Sequence, residues 1–324
     1  MTKTGKHVLI TGGAGFIGSH LSEALLKANH KISIIDNFDD FYDPAIKQKN
    51  IQEIIKNPNV QFFHEDLRHI NSISALKNCK IDSIFHLASK AGVRKSIELS
   101  DIYRENNIES SIAVFKFAQE NQIKQIIMAS SSSVYGNHPE QPWHENLIGL
   151  KPLSPYAQNK FECERLGQAF ASENQNQFIA LRFFSVFGPR MRPDLAMHRF
   201  TKKILNDEAI DLYGSGKSYR DYTYVGDIIA GAIASMDYTK PGFEVFNLGY
   251  GEKVTLSEML AELEHVIGKH GKYRHIPMLK EESFGTWSDC EKAKKLLNYL
   301  PKTSLHSGLK AFFEWYQEVY IRPY

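Results

Sequence analysis

The stretch HVLITGGAGFIGSHL (residues 7–21) decides the fold of this chain. It begins with an apolar run typical of a buried strand, and residues 16–28 continue with the spacing of an amphipathic helix. Gly12, Gly15 and Gly18 lie at the junction with GxxGxxG spacing. Glycines there allow a tight turn and close approach of the backbone to a pyrophosphate, which the unpaired N–H groups of a helix N-terminus can bind. The stretch therefore predicts a dinucleotide-binding turn, the alternative being a glycine turn that binds no ligand.

The same alternation of a short apolar run with a longer helical pattern continues to about residue 184. The further runs are KISIID (31–36), VQFFHED (60–66), SIFHLA (83–88), QIIMAS (125–130) and FIALRFF (178–184), and helical patterns occupy residues 70–78, 102–121 and 156–174. Strands that alternate with helices in this way form parallel sheets with crossover helices on both faces. We therefore predict an α/β fold with a doubly wound (Rossmann) parallel sheet and a smaller mixed α/β substrate lobe.

The smaller lobe is predicted to interleave with the sheet domain along the sequence. After Phe184 the chain becomes rich in Pro, Gly and Arg, and a helix at about 196–206 and a turn-rich stretch (211–221) follow. FEVFNLG (243–249) is one more run typical of a buried strand. We therefore assign residues 1–182 and about 217–250 to the nucleotide-binding domain, and residues 183–216 and about 251–324 to the substrate lobe.

Composition and charge argue against several other classes of protein. The 324 residues carry 39 basic and 37 acidic side chains, a net charge of +2, without a block of like charge that would bind nucleic acid or a membrane surface. No run of 18 apolar residues and no signal-peptide pattern is present, so we expect a soluble cytoplasmic protein. Cys79, Cys163 and Cys290 are widely spaced, which argues against a disulfide framework and a zinc site. We predict no bound metal.

A carboxylate follows the second predicted strand. Asp36 stands 18 residues after Gly18, where it can accept hydrogen bonds from both hydroxyls of a ribose. It would repel the 2′-phosphate of NADP, and Asn37 supplies no positive charge to offset that repulsion. The sequence therefore predicts NAD as the cofactor.

A second chemical signal lies in SPYAQNK (154–160). Tyr156 and Lys160 are four residues apart, so their side chains emerge on one face of a helix. A phenol is a poor base because its pKa is about 10, but a nearby cation favours the phenolate. Taken alone, such a pair would more often be a packed tyrosine beside an exposed lysine, but MASSSSVYG (128–136) adds hydroxyls at the end of a predicted strand. Together these features predict an active site in which Tyr156 is the base.

The order of these motifs is that of the extended short-chain dehydrogenases/reductases, and the chain resembles the NAD-dependent nucleotide-sugar epimerases of that family. The resemblance covers about residues 6–300 and is carried by TGGAGFIGSHL, DNF, HEDLR, HLASKAGVRKSI, ENN, ASSSSVYG, SPYAQNK, LRFFSVFGPRMRPD and YRDYTYVGDI. It implies NAD, a UDP-sugar substrate, a Ser–Tyr–Lys triad, and a homodimer joined through the helices at about 102–121 and 156–174.

The resemblance assigns the reactive groups and the cofactor contacts. Ser131, Tyr156 and Lys160 match the catalytic triad, whereas Ser130 is expected to cap the backbone. Besides Tyr156 and Lys160, the positions that match cofactor-binding residues are Gly12, Gly15, Phe16, Ile17, Gly18, Asp36, Asn37, Asp66, Leu67, Ala88 and Asn107. Lys160 is expected to hold the ribose and to lower the pKa of Tyr156.

Substrate contacts are implied in the same way. The matching positions are Arg94, Ser132, Ser133, Ser185, Arg192, Tyr213, Arg220 and Glu282. Ser185 and Arg192 lie in FFSVFGPRMRPD, which resembles the uronate branch of the family, where a hydroxyl and a guanidinium face the carboxylate at carbon 6 of the sugar. The alternative is that Arg190 and Arg192 are solvated or bind phosphate in any nucleotide sugar. The chain departs from the family pattern at Lys90, where glutamine is usual, and at residues 281–282, where Gly-Asp is usual.

The serine loop indicates the type of reaction. Related dehydratases and decarboxylases carry Asp-Glu or Glu just after the catalytic Ser or Thr, because they need another general acid or base. Here Ser132 and Ser133 follow Ser131, so epimerisation at carbon 4 through a 4-keto sugar is favoured. We predict UDP-glucuronate and UDP-galacturonate as the substrate pair. The alternatives are UDP-glucose or UDP-N-acetylglucosamine as substrate, a dehydratase or decarboxylase, and a non-catalytic NAD-binding regulator.

Overall fold

The computed structural model describes residues 5–77, 79–213, 216–277 and 284–322. In chain order the strands are β1 (His7–Thr11), β2 (Lys31–Asp36), β3 (Val60–His64), β4 (Ser83–His86), β5 (Gln125–Ser131), β6 (Gln177–Phe183), β7 (Val186–Phe187), β8 (Ala209–Tyr213), β9 (Tyr219–Arg220), β10 (Thr223–Tyr224), β11 (Gly242–Leu248), β12 (Val254–Thr255) and β13 (Lys272–Ile276). The central sheet has seven strands in the order β3-β2-β1-β4-β5-β6-β11, and every neighbouring pair is parallel. The predicted doubly wound α/β fold is confirmed.

The strand order reverses between β1 and β4. The chain proceeds outward from β1 to β2 and β3 on one side, and from β4 to β5 and β6 on the other. Thr11 pairs with His86 at the carboxyl ends of the two central strands. Because the loops beyond such a reversal leave in opposite directions, they open a crevice that binds ligands in folds of this kind. The fold therefore places a ligand site beyond Thr11 and His86.

The helices cover both faces of this sheet and build the remainder of the chain. They are α1 (Phe16–Lys27), α2 (Pro44–Ile51), α3 (Ser74–Lys77), α4 (Val93–Glu98), α5 (Ser100–Arg104), α6 (Ser110–Glu120), α7 (Pro155–Asn174), α8 (Ala196–Leu205), α9 (Val225–Ser235), α10 (Leu256–Ile267), α11 (Glu291–Leu297) and α12 (Leu305–Tyr316). The long helix predicted at 102–121 consists of α5, a π-helical turn (Glu105–Glu109) and α6.

The helix predicted at 70–78 does not form as one regular helix. A 3₁₀ helix (Leu67–Ser72) precedes the four-residue α3, and residue 78 lies outside the described chain. The Asp66 side chain accepts a hydrogen bond from the Arg68 N–H, which starts the helical turn before the predicted position. Local capping therefore overrides the apolar spacing that suggested a longer helix.

Alternate residues of each central strand are buried on opposite faces of the sheet. In β1, Val8 and Ile10 belong to an apolar cluster that contains α1 and α9, whereas Leu9 belongs to a second cluster with α6 and α7. All three side chains are fully buried. Burial on both sides explains the continuous apolar runs of the sequence. It also fixes the strand ends from which the site residues project.

Residues beyond β6 leave the sheet and return to it. The strand predicted at 243–249 is β11, which pairs with β6 at the edge of the central sheet. Between them in sequence, β8 leaves the sheet and pairs with β13 in a separate parallel ladder. Apolar residues of α8, α10 and α12 pack in the cluster that includes β8. Among the described residues, no helix is long and apolar enough to cross a lipid bilayer.

Candidate active site

A cavity of about 540 Å³ lies beyond the carboxyl ends of the central strands. Its walls are the turn after β1, the loops after β2, β4 and β5, the start of α7, and the segment between β6 and α8. Most of the predicted cofactor and substrate residues line it: Gly12, Gly15, Phe16, Ile17, Gly18, Asp36, Asn37, Asp66, Leu67, Ala88, Ser131, Ser132, Ser133, Tyr156, Lys160, Ser185, Arg192 and Arg220. The fold therefore brings both halves of the predicted site into one space.

The turn after β1 requires glycine because of crowding. Gly12 has a φ of +71°, and a β-carbon there would lie 2.7 Å from the backbone nitrogen of Ala88. A β-carbon at Gly18 would collide with the carbonyl oxygen of Gly12. Only a hydrogen fits at either position, so β1 and α1 can approach closely beside the cavity. The N-terminus of α1 faces this space and can offer its N–H groups to a phosphate.

Asp36 lies almost fully buried at the end of β2. Its Oδ1 accepts from the Phe38 N–H at 2.9 Å, and its Oδ2 accepts from the Ala14 N–H at 3.0 Å. Burial raises the pKa of Asp36, and the Lys47 ammonium on α2 opposes that increase. The sequence analysis missed Lys47, because no motif connects it to β2. The two backbone bonds fix the carboxylate, whose remaining lone pairs can accept from ribose hydroxyls.

Asn107 is buried beside the cavity and bonded to the loop after β4. Its Oδ1 accepts from the Lys90 N–H at 2.7 Å and from the Ser89 hydroxyl at 3.1 Å, and its Nδ2 donates to the Lys90 carbonyl oxygen at 3.0 Å. Asn106 and Ser110, which were not predicted, line the cavity. Asn107 thus holds the loop after β4, since the π-helical turn changes the direction of neighbouring side chains.

Tyr156 and Lys160 project into the cavity from the start of α7, beside Ser131 at the end of β5. The Ser154 hydroxyl accepts from the Ala157 N–H at 3.2 Å and caps α7 just before Tyr156. This cap fixes the first turn of the helix, and the four-residue spacing places both side chains on one face. The three residues of the predicted triad are therefore neighbours in the structure.

Burial and neighbouring groups shift the pKa values of Tyr156 and Lys160. Burial raises the pKa of Tyr156, whereas the Ser131 hydroxyl and the Arg192 guanidinium lower it. Lys160 donates from Nζ to the Ala129 carbonyl oxygen at 2.8 Å, and burial lowers its pKa to about 8. Arg192 is thus a cation that lowers the pKa of Tyr156, and the ammonium of Lys160 is bonded to the backbone of β5.

The serines of the loop after β5 have separate roles. Ser131 is the N-cap of a 3₁₀ helix (Ser132–Tyr135), and its hydroxyl oxygen accepts from the Ser133 N–H at 3.2 Å and from the Ser133 hydroxyl at 2.9 Å. Ser130, predicted to be the backbone cap, instead donates its hydroxyl to the buried Glu164. The hydroxyl of Ser130 is thus bonded to a side chain of α7 rather than to the backbone, and Ser130 lines the cavity together with Ser131.

Glu164 and Arg182 form a buried ion pair behind the serine loop. The Arg182 Nε and Nη2 donate to the two carboxylate oxygens at 2.9 and 2.7 Å. The guanidinium also lies over the ring of Tyr135, with its Cζ 4.7 Å from the ring centroid. No motif in the sequence indicates this pair, since its members belong to different elements. It joins α7, which carries Lys160, to β6, and the bond from Ser130 joins the same carboxylate to β5, which carries Ser131.

Arg192, Ser185 and Arg220 line the same cavity as the triad. The Arg192 Nε and Nη2 donate to the Asp194 carboxylate at 2.9 and 2.7 Å. Burial alone would lower the pKa of Arg192, but the bonds to Asp194 raise it above its ordinary value. Arg192 is therefore a fixed and permanently charged group, close enough to act on the phenol of Tyr156.

Other predicted groups lie elsewhere. Arg94, on α4, is half-buried and does not line the cavity. Arg190, considered as an alternative anion ligand, pairs with Glu23 of α1 at 2.5 Å. The side chain of Tyr213 and the whole of Glu282 lie outside the described residues. Of the two arginines in this loop, the structure thus places Arg192 at the cavity and Arg190 against α1.

The cavity lies where the strand order of a doubly wound sheet reverses, and a tyrosine–lysine pair lines it. This is the arrangement of a nucleotide-dependent enzyme that acts on a hydroxyl group. Residues 8–249 match the NAD dependent epimerase/dehydratase family, and the chain belongs to that family.

Particular relatives are similar over nearly the whole chain. The UDP-glucuronate 4-epimerase of Thermodesulfobacterium geofontis is 36% identical over 316 residues, which cover 96% of each protein. UDP-glucuronate 4-epimerase 4 of Arabidopsis thaliana is 32% identical over 337 residues, which cover 98% of this chain and 77% of the plant protein. The structure of a UDP-glucuronic acid 4-epimerase from Bacillus cereus, in complex with UDP-glucuronic acid and NAD, is 35% identical with a TM-score of 0.91, covering 97% of this chain and 100% of its own.

Proposed function

We propose that this chain catalyses the reversible 4-epimerisation of UDP-glucuronate to UDP-galacturonate, with NAD as its bound cofactor. The observation that carries the proposal is the presence of Arg192 and Ser185 in the cavity that holds Ser131, Tyr156 and Lys160. A planar guanidinium and a hydroxyl suit the carboxylate at carbon 6 of a uronate. The similar proteins named UDP-glucuronate 4-epimerase support the same substrate.

The residues around the glycine turn fit NAD. Gly12 and Gly18 have no side chains, so a pyrophosphate can approach the backbone beside the N-terminus of α1. We assign Asp36 to the ribose hydroxyls, and Asp66 and Leu67 to the adenine end of the cavity. When bound, NAD supplies a reversible hydride acceptor for carbon 4 of the sugar.

Tyr156 is the base in this mechanism. Its phenolate accepts the proton of the 4-hydroxyl as carbon 4 is oxidised to a ketone, and its hydroxyl returns a proton when the ketone is reduced. Arg192 favours the phenolate, because an opposite charge lowers the pKa of a phenol. Ser131 donates to the 4-oxygen and stabilises the developing carbonyl, and Lys160 holds the cofactor ribose. Between the two steps the 4-keto sugar turns about its bond to the diphosphate, so that reduction occurs on its opposite face.

The remaining substrate contacts are assigned from their places in the sequence and the cavity. Ser132 and Ser133 line the cavity beside the triad, and we assign them to sugar hydroxyls. Arg220 lines the cavity from β9 and is assigned to the diphosphate. Tyr213 and Glu282 are assigned to the uracil and the uridine ribose.

We also propose that the chain divides into two interleaved domains. Residues 1–182 and about 217–250 form the NAD-binding domain, and residues 183–216 and about 251–324 form the sugar-nucleotide lobe. The return of β11 to the central sheet after β8 has left it supports this division. It places the reacting sugar between the two domains.

A homodimer through α5, α6 and α7 completes the proposal. Ile102 and Ile112 are 42% and 43% exposed on the long helix, and Ile97 and Leu99 extend the apolar surface toward α4. Exposed apolar side chains on neighbouring helices are a feature of many interfaces. The three cysteines are free, which suits a reducing cytoplasm, and the net charge of +2 gives no reason to expect a nucleic-acid or membrane partner.

The test is a substrate panel. Purified protein is incubated separately with UDP-glucuronate, UDP-glucose and UDP-N-acetylglucosamine, and the products are separated and weighed by mass spectrometry. We expect UDP-glucuronate to give UDP-galacturonate of unchanged mass. A lighter product would identify a dehydratase or decarboxylase. Conversion of the neutral sugars alone would show that the substrate is UDP-glucose or UDP-N-acetylglucosamine. No conversion of any sugar would favour a non-catalytic regulator.

A further inference from the structure

Residues 37–43 connect the cofactor end of the cavity to its sugar end. The segment begins next to Asp36, and its Phe41 lies beside Arg192. It is held by its own side chains: Asn37 Oδ1 accepts from the Asp39 N–H, and Asp39 Oδ1 accepts from the Phe41 N–H, both at 3.0 Å. The position of Phe41 is therefore set by Asp39.

Asp39 is in turn fixed by two lysines. The Lys90 ammonium lies 2.9 and 2.7 Å from the Asp39 carboxylate oxygens, and the Lys47 ammonium donates to the Asp39 carbonyl oxygen at 2.7 Å. Lys90 is the residue that departs from the usual glutamine of the family. Because partly buried ion pairs hold their members more tightly than exposed ones, the loop has a defined place over the cavity.

The ring of Phe41 is packed between cations rather than in the apolar core. The Arg192 Cζ lies 5.3 Å from its centroid, and the Lys95 Nζ lies 4.3 Å from it. A β-carbon at Gly92 would lie 3.4 Å from the Cζ of Phe41 and 4.0 Å from the Nη2 of Arg192. Gly92 therefore lies next to both side chains. Phe38, in the same loop, packs instead against Phe62, with the ring centroids 5.4 Å apart.

We propose that Phe41 is a positioning residue that orients the Arg192 guanidinium and thereby sets the preference for a sugar with a carboxylate. The proposal rests on the function proposed above and adds a residue that does not itself bind the sugar acid. Asp194 holds the Nε and Nη2 edge of Arg192, and the ring of Phe41 restricts the guanidinium plane. The Nη1 of Arg192 is not bonded to Asp194. Because the guanidinium plane is fixed, Nη1 has a constant orientation in which it can donate to a carboxylate in the cavity.

The experiment compares binding of UDP-glucuronate and UDP-glucose. Calorimetric titrations use the NAD-loaded protein in a Tyr156→Phe background, so that turnover does not disturb the measurement. Phe41→Ala and Phe41→Leu remove the aromatic face, Phe41→Tyr keeps it, and Phe38→Ala is the matched control in the same loop. Circular dichroism and the amount of bound NAD report folding, and Phe41→Leu carries the test if Phe41→Ala does not fold.

We expect Phe41→Ala and Phe41→Leu to reduce the preference for UDP-glucuronate by about tenfold, a size typical of one partly buried cation–π contact. Phe41→Tyr and Phe38→Ala should keep the preference of the parent. Equal weakening for both sugars, or the same change in Phe38→Ala, would overturn the proposal, because either would show a general effect of the loop. Failure of the proposed function would give a different result from failure of this proposal. It would appear as no conversion of UDP-glucuronate by the protein that retains Tyr156.

Discussion

The Nζ of Lys160 lies 2.8 Å from the carbonyl oxygen of Ala129, so the reactive helix is bonded to the strand that carries the serine loop. Lys160 is nearly fully buried, and in the proposed function its ammonium serves both this backbone contact and the cofactor ribose. The bond places Lys160 between α7 and β5. The burial of Lys160 makes its protonation sensitive to folding.

This sensitivity predicts a pH dependence of stability. Burial lowers the pKa of Lys160 from 10.5 to about 8. Between these two pH values the unfolded chain binds a proton that the folded chain releases, so the contribution of Lys160 to the free energy of unfolding becomes more favourable as pH rises through this range. Urea unfolding is measured for the cofactor-free wild type and for Lys160→Met. From pH 8 to 10.5 the free energy of unfolding of the wild type should rise relative to that of the variant. A difference that is constant with pH would contradict the depressed pKa.

Replacing Tyr156 with Phe should abolish epimerisation while leaving the fold intact. The change removes only the oxygen that transfers the proton, and loss of a general base typically lowers a rate by about a hundredfold or more. Tyr238→Phe is the control: its hydroxyl donates to Glu244 at 2.9 Å, and Tyr238 does not line the cavity. Turnover is followed by NMR of the two C4 epimers. Activity in Tyr156→Phe equal to that of the control would remove the proposed base.

Arg192→Lys should impair the use of UDP-glucuronate although the charge is kept. A lysine lacks the planar guanidinium that can bond to Asp194 and to the sugar carboxylate at the same time, so we expect KM for UDP-glucuronate to rise about tenfold or more. Arg190→Met is the control, because Arg190 pairs with Glu23 away from the cavity. The kinetic constants are measured for both variants. The assignment of Arg192 fails if the two variants have the same KM.

Glu164 and Arg182 should contribute to stability mainly as a pair. Removing one member of a buried ion pair leaves an uncompensated charge and typically costs about 3 kcal/mol or more. Glu164→Leu and Arg182→Met are each expected to lose this amount in urea unfolding. The double variant should lose less than the sum of the two, since no charge is left unpaired. Additive losses would show that the two side chains act independently.

The parts of the site that local sequence patterns determine were predicted well. The glycine turn and the Tyr156–Lys160 face follow from spacing within one element, so the strand, the turn and the helix could be placed from the sequence. The hydrogen bonds of Ser130 and Asn107 could not be predicted, because their partners are distant in the chain. Arg190 and Arg192 are two residues apart in one loop, and only the fold separates them.

The most direct test follows the hydrogen on carbon 4 of the sugar. UDP-glucuronate carrying deuterium at C4 is incubated with the enzyme in ordinary water, and the UDP-galacturonate formed is analysed by NMR and mass spectrometry. Oxidation and re-reduction at one carbon, within one cavity, predict that the product keeps its deuterium at C4 and its full mass. A product that has lost the deuterium to solvent, or that is lighter by its carboxyl group, would contradict the account.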